Sequence, residues 1–217
     1  FLDQAIASSG FHGTMAVTSG VKNSGDAPEG IKVKEGSHRI DVKPWPFAGE
    51  DGEEPEFSHD PHVWTSPKQA KIQVENIVEE LATKAPSVKE AGASYEKQLE
   101  DLDAWAAQSL SDIPREDRVL FTSHDAFGYF ADAYDVTFIG SALSDFNNQQ
   151  DATASHIDEA ARTVRESGAK AIFAENSNNS KSIEAIARAA GVKAITAEDA
   201  LYGDSLGIPG SAGETYL

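Results

Sequence analysis

Cysteine is absent from these 217 residues, which removes disulfides, thiolate metal sites and thiol catalysis together. Any metal must then be held by His, Asp or Glu. A cysteine-free chain is compatible with an oxidising compartment. Basic residues are scarce: 18 Lys and Arg stand against 36 Asp and Glu, a formal charge of -18. A phosphate backbone needs a basic surface, so nucleic acid is excluded as a partner, whereas an anionic exterior attracts cations. No run approaches the roughly 18 apolar residues of a membrane span, and the first residues carry no signal-peptide pattern. A P-loop, a dinucleotide glycine fingerprint and a Gly-x-Ser-x-Gly elbow are all missing. With 40% hydrophobic residues, the chain has enough apolar side chains to bury a core, as one large domain or two small ones.

Phe1, Leu2, Ala5 and Ile6 have helical spacing, and Gly10 serves as a stop. With no capping residue in front, the chain reads as beginning inside a helix, as a fragment of a longer protein would. Strand candidates follow at Thr14–Thr18, Ile31–Val33 and Ile40–Val42 within a segment rich in Gly, Pro, Asp and Glu. Ser66 followed by Pro67 marks a helix start, and Ile72, Val74, Ile77, Val78 and Leu81 define one face of a helix to about Thr83. Tyr95, Leu99, Leu102 and Ala106 mark a second, longer helix from about Pro86 to Leu110, roughly 38 Å at 1.5 Å per residue. A helix of that length is a candidate strut between lobes. From Arg118 the pattern becomes strand (119–122), helix (125–133), strand (136–139), helix (153–167), strand (171–174), helix (180–190) and strand (192–196). Apolar strands separated by helices predict a parallel, covered sheet and an α/β fold.

The stretch His59-Asp60-Pro61-His62-Val63-Trp64 lies between the acidic run 50–56 and the helix start, where a binding residue is expected. Pro61 restricts Asp60 to an extended conformation and fixes its own φ, which limits the freedom that His62 loses on gripping a ligand. Imidazole is the commonest protein ligand for transition metals. In an open α/β sheet, ligands bind at the carboxyl ends of the strands. His124 follows the strand 119–122, Glu175 and Asn176 follow 171–174, and Asp204 lies in the loop-rich segment after the last strand. Their shared placement, with His62, points to a metal site. Ser123-His124-Asp125 is not a catalytic triad, because neighbours on one turn do not converge. His59 is a loop residue that captures metal loosely, and His12, His38 and His156 read as surface residues.

In the order and spacing of Asp60-Pro61-His62-Val63-Trp64, Thr122-Ser123-His124-Asp125-Ala126-Phe127-Gly128-Tyr129-Phe130, Phe173-Ala174-Glu175-Asn176, Tyr202-Gly203-Asp204-Ser205-Leu206-Gly207 and Glu214-Thr215-Tyr216-Leu217, the chain resembles a known family. This is the metal-binding substrate-binding proteins of ABC importers for zinc and manganese, the cluster A-I or ZnuA/TroA-like group. The resemblance implies two parallel-sheet α/β lobes joined by one long helix. The corresponding domains are 1–85 for an incomplete N-terminal lobe, 86–112 for the inter-lobe helix and 113–217 for a C-terminal lobe lacking its last helix. It also implies a metal held between the lobes by two ligands from each. Carried over residue by residue, His62 is an N-lobe ligand and His124 and Asp204 are the C-lobe ligands. The family's other N-lobe histidine has no counterpart here, so the chain is expected to be truncated at both ends or to have lost that ligand. His59 or water is then the candidate for the fourth position. The family's loop before the second ligand is often histidine-rich; here it is acidic, at best a weak cation funnel.

The function implied is an extracytoplasmic receptor, periplasmic or lipid-anchored, that captures Zn2+ and hands it to an ABC permease without catalysis. Manganese-selective relatives tend to carry a carboxylate where this chain has His124. A third imidazole suits Zn2+ better than Mn2+, so manganese is the second candidate. A metallochaperone is a further candidate partner, and the expected state is a monomer. The alternatives from other classes are a zinc hydrolase, with His62, His124 and Asp204 as an open three-ligand site and Glu175 as base, and an adhesin or metal-storage protein on the same scaffold.

Overall fold

The computed structural model describes residues 2–23, 30–45, 58–142 and 153–217. The chain divides into two compact units, Phe1–Asp103 and Ala104–Leu217. Among the described residues, no helix is long and apolar enough to cross a membrane. The acidic run 50–56 falls outside the described residues.

The first unit opens with helix α1 (Leu2–Ser9), which ends at Gly10 with a positive φ of 67°, as an αL stop requires. Strands β1 (Gly13–Ala16) and β2 (Ile31–Lys34) pair in parallel, Gly13 opposite Ile31. The pairing continues past β1, where the Val17 N–H donates to Lys34 O at 2.9 Å. The expected strand at 40–42 does not form. Ile40 is nevertheless buried, and its N–H donates to Ser19 O at 3.1 Å. Helix α2 (Pro67–Ala82) starts where the Ser66-Pro67 pair predicts. It packs on helix α3 (Val88–Ser111) so closely that a Cβ on Gly92 would collide with Val78, and Lys71 of α2 pairs with Glu100 of α3 at 2.9 Å. Leu99 is buried and Tyr95, Leu102 and Ala106 are half-buried, so the four-three-four spacing marks the inward stripe of α3. The boundary between the units falls inside α3.

The second unit alternates β3 (Val119–Thr122), α4 (Gly128–Ala133), β4 (Thr137–Ser141), α5 (Ala154–Ser167), β5 (Ala171–Phe173), α6 (Lys181–Ala190) and β6 (Lys193–Ile195). β3 pairs with β4 and β5 with β6, both in parallel, and β3 also runs beside β5. Successive side chains of a strand face opposite sides, and here the two sides have separate cores. Phe121 and Ile172 join Val164, Ile183 and Ile186 of α5 and α6. Leu120 and Phe173 join Phe127 and Phe130 around α4. Glycines with positive φ end α5 (Gly168, 75°) and α6 (Gly191, 76°), so the helices stop where the sequence puts them. The exception is α4, which starts at Gly128 and not at Asp125. The intervening residues form an irregular turn, with the Ala126 N–H donating to His124 O at 3.1 Å.

Candidate metal centre

In the first unit, His62 is fully buried and Asp60 nearly so. Asp60 Oδ1 accepts from the backbone N–H of His62 at 2.9 Å and lies 2.6 Å from His62 Nδ1. One carboxylate oxygen thus fixes both the backbone and the ring of the residue two positions on, an Asx-type turn built on the Asp-Pro-His order. With Nδ1 engaged, the nitrogen left to a metal is Nε2, the usual arrangement of a carboxylate behind a ligating histidine. The Trp64 ring meets the imidazole edge-on, centroids 5.5 Å apart, and Trp45 lies 6.4 Å away on a nearly parallel plane. The loop is anchored upstream by Asn23, whose Oδ1 accepts from the N–H groups of Ser58 at 2.9 Å and His59 at 3.2 Å. His59 is buried as well. Burial holds its pKa below the usual histidine value, against an opposing pull from the Asp60 charge. His12 and His38 are exposed, as expected, whereas His156 in the first turn of α5 is half-buried.

In the second unit, the fold brings three of the sequence candidates together. His124 follows β3 and is 5% exposed; Glu175 follows β5 and is 2% exposed. The ends of these two strands clasp each other: the His124 N–H donates to Glu175 Oε1 at 3.0 Å, and the Glu175 N–H donates to Ser123 Oγ at 3.1 Å. The other carboxylate oxygen of Glu175 lies 2.7 Å from His124 Nδ1. On the opposite edge of the ring, His124 Nε2 lies 3.0 Å from Asp204 Oδ2. Asn178 Nδ2 also approaches His124 Nδ1, at 3.3 Å. Burial disfavours the charged imidazole, but the hydrogen bonds and charges of Asp204 and Glu175 outweigh it and raise the His124 pKa to about 10. Without a metal the ring is therefore an imidazolium held between two carboxylates. A divalent cation replacing the Nε2 proton would meet one imidazole nitrogen and one carboxylate oxygen, both ordinary donors for Zn2+.

Glu175 was a sequence candidate for a catalytic base. In the structure both of its oxygens face His124, so it orients the imidazole. Gly203 makes this possible, since a Cβ there would lie 2.7 Å from Glu175 Oε2. Sequence reasoning did not assign roles to Asp60, Ser123 and Asn178 in positioning the imidazoles. Asp60 was the most accessible of these, because an Asp two residues before a histidine across a proline is a recognisable turn signal.

The fold and these two histidine–carboxylate sets define a class: an α/β protein whose loops present buried imidazoles suited to a divalent cation. A family model described as the periplasmic component A of a zinc-uptake complex, ZnuA, matches residues 1–217, and the chain belongs to this family. The zinc-binding protein TroA of Treponema pallidum is 33% identical over 171 residues, 76% of this chain and 54% of that protein. The manganese-binding lipoprotein MntA of Bacillus subtilis is 32% identical over 163 residues, 72% of this chain and 53% of that one. The chain thus spans about half the length of these relatives. Among solved structures, the periplasmic zinc-binding protein TroA superposes with a TM-score of 0.63 at 31% identity, covering 73% of this chain and 59% of that chain. A manganese-bound periplasmic metal-binding protein from candidatus Liberibacter asiaticus shares the fold, with a TM-score of 0.63 at 23% identity over 87% of this chain and 66% of that chain. The family is one of metal ABC transporter substrate-binding proteins, which are transport receptors and not enzymes.

Proposed function

We propose that this chain is the metal-capturing part of an extracytoplasmic receptor that binds Zn2+ and delivers it to an ABC permease, with His62, His124 and Asp204 as ligands. The carrying observation is the His124 set: a buried imidazole braced at Nδ1 by Glu175 with the Asp204 carboxylate at its Nε2 edge. The lobes are residues 1–85 and 113–217, with 86–112 as the connecting helix. Extracytoplasmic placement follows from the relatives, which are described as periplasmic or as lipoproteins. Both zinc-binding and manganese-binding relatives stand at similar identity, so the choice of metal rests on the donors. Two imidazoles with one carboxylate suit a borderline-soft ion better than oxygen-preferring Mn2+. Glu175 serves His124 on both oxygens, which leaves a hydrolytic reading without its base, and the reading here is binding without catalysis.

Calorimetric titration with zinc and with manganese tests this, using the unaltered chain and His124→Asp. The expected result is a strong preference for zinc that narrows when the imidazole becomes a carboxylate. An unchanged preference in His124→Asp would contradict ligation through His124.

A further inference from the structure

Asp204 is the one proposed ligand on an exposed loop outside regular structure, so something must hold that loop if its carboxylate is to face His124. We propose that Asn176 is a positioning residue that fixes the Asp204 loop; this rests on the reading of Asp204 as a metal ligand. Asn176 directly follows Glu175, and its backbone N–H donates to Leu201 O at 2.8 Å. Leu201 in turn donates to Ala174 O at 2.9 Å and forms a parallel bridge with Glu175. The start of the loop is therefore laid against the end of β5 like one more strand. Beyond that bridge, the Asn176 side-chain amide reaches the far side of Asp204. Its Nδ2 donates to Ser205 Oγ at 2.9 Å, with Ser205 O and Leu206 O at 3.4 Å. Asp204 is thus bracketed, by the backbone of Asn176 on one side and by its amide on the other. The same residue pair, Glu175-Asn176, sets both C-terminal donors: Glu175 orients the His124 ring, and Asn176 sets the loop that carries the carboxylate.

The donor character of the amide carries the argument. Ser205 O and Leu206 O are acceptors only, so an N–H group at Nδ2 attracts them. Asn176→Asp keeps the size and removes both amide hydrogens, placing a carboxylate oxygen against two carbonyl oxygens. Loss of a partner that orients a ligand lowers metal affinity about 10–100-fold, and for an exposed hydrogen bond the lower figure applies.

The test has two arms. In the metal-free protein, hydrogen exchange of the amides of 203–207 should accelerate in Asn176→Asp and in Asn176→Ala, while exchange in α6 stays unchanged; equal exchange rates in the loop would overturn the proposal whatever metal binds. In the second arm, zinc affinity is measured for Asn176→Asp, Asp204→Asn and the double variant. Asn176→Asp should weaken binding about tenfold and have little further effect once Asp204 is replaced, as expected for two residues acting through one contact. Full additivity would overturn the positioning role. Unchanged affinity in Asp204→Asn with accelerated loop exchange in Asn176→Asp would instead refute Asp204 as ligand and leave the tether standing.

Discussion

The two histidine sets are built in opposite ways. His62 is held at Nδ1 by Asp60, two residues before it on the same loop, so the partner that orients the ring is encoded next to it, with Asn23 and Trp45 bracing the loop from earlier in the same unit. His124 is held by Glu175, 51 residues further along, and by Asp204 on a later loop. Its arrangement exists only when β3 and β5 lie side by side with their ends in register. A locally encoded site is robust to changes elsewhere, whereas one assembled from distant segments depends on the packing beneath it. The contrast also makes the second set the more electrostatically loaded, with one imidazole between two carboxylates.

Removing the rings should have the largest effect. His62→Ala and His124→Ala should each weaken zinc binding by more than the 10–100-fold that outer partners contribute, measured by chelator competition. In the unaltered chain, zinc should also change the fluorescence of Trp64, whose ring touches His62; a zinc signal undiminished in His62→Ala would refute that ligand. Next come the bracing carboxylates. Glu175→Gln should lower affinity about 10–100-fold, and Asp60→Asn should fall at the lower end of that range because the local turn retains an acceptor for the His62 N–H. Equal losses would erase the distinction between the two sets.

The His124 set should also make zinc binding depend on pH. Metal must displace the His124 proton, held with a pKa of about 10, so zinc affinity should rise with pH. One proton released corresponds to roughly 100-fold between pH 5.5 and 7.5. Titrations giving equal affinity at the two values would contradict imidazole ligation. The stability of the metal-free protein runs the other way. A histidine whose folded pKa exceeds its unfolded value contributes stability that is fully present below about 6.5 and lost as pH rises toward about 10. Thermal melts should therefore show a metal-free Tm falling over that window, with the fall abolished in His124→Ala. The smallest effect is expected from Gly203→Ala. Its new Cβ presses on Glu175, so zinc affinity should drop by about tenfold or less while Trp64 fluorescence of the metal-free protein stays as it was. A matching change at Trp64 would show that the two sets are not independent.

Much of the second unit was legible because each of its elements has its own signal: short apolar strands, amphipathic helices and glycine stops at Gly168 and Gly191. The start of α4 was not, because the residues after Thr122 are taken up in holding His124 against Glu175, and a loop of that kind overrides local helical pattern. In α2 the apolar stripe was legible but not the depth of its residues. Ile77 and Leu81 are 41% and 50% exposed, while Asn76 is 7% exposed. Asn76 is buried because its Nδ2 donates to Thr18 O at 2.7 Å and His38 O at 2.8 Å, and its Oδ1 accepts from His38 N at 3.1 Å. An amide that finds three backbone partners can be buried without leaving a polar group unsatisfied, and helical periodicity says nothing of such partners. At the candidate site, the residue types were readable for His62, His124, Glu175 and Asp204, and strand-end positions for His124 and Glu175. The pairing of Glu175 with Nδ1 of His124, and of Asn176 with the Asp204 loop, needed the folded sheet.

The most direct measurement is anomalous diffraction at the zinc edge from crystals of this chain grown with zinc. The account predicts one peak with His62 Nε2, His124 Nε2 and an Asp204 oxygen each at about 2.0–2.2 Å. A peak bound by any one of these without the other two, or centred on other residues, would contradict it.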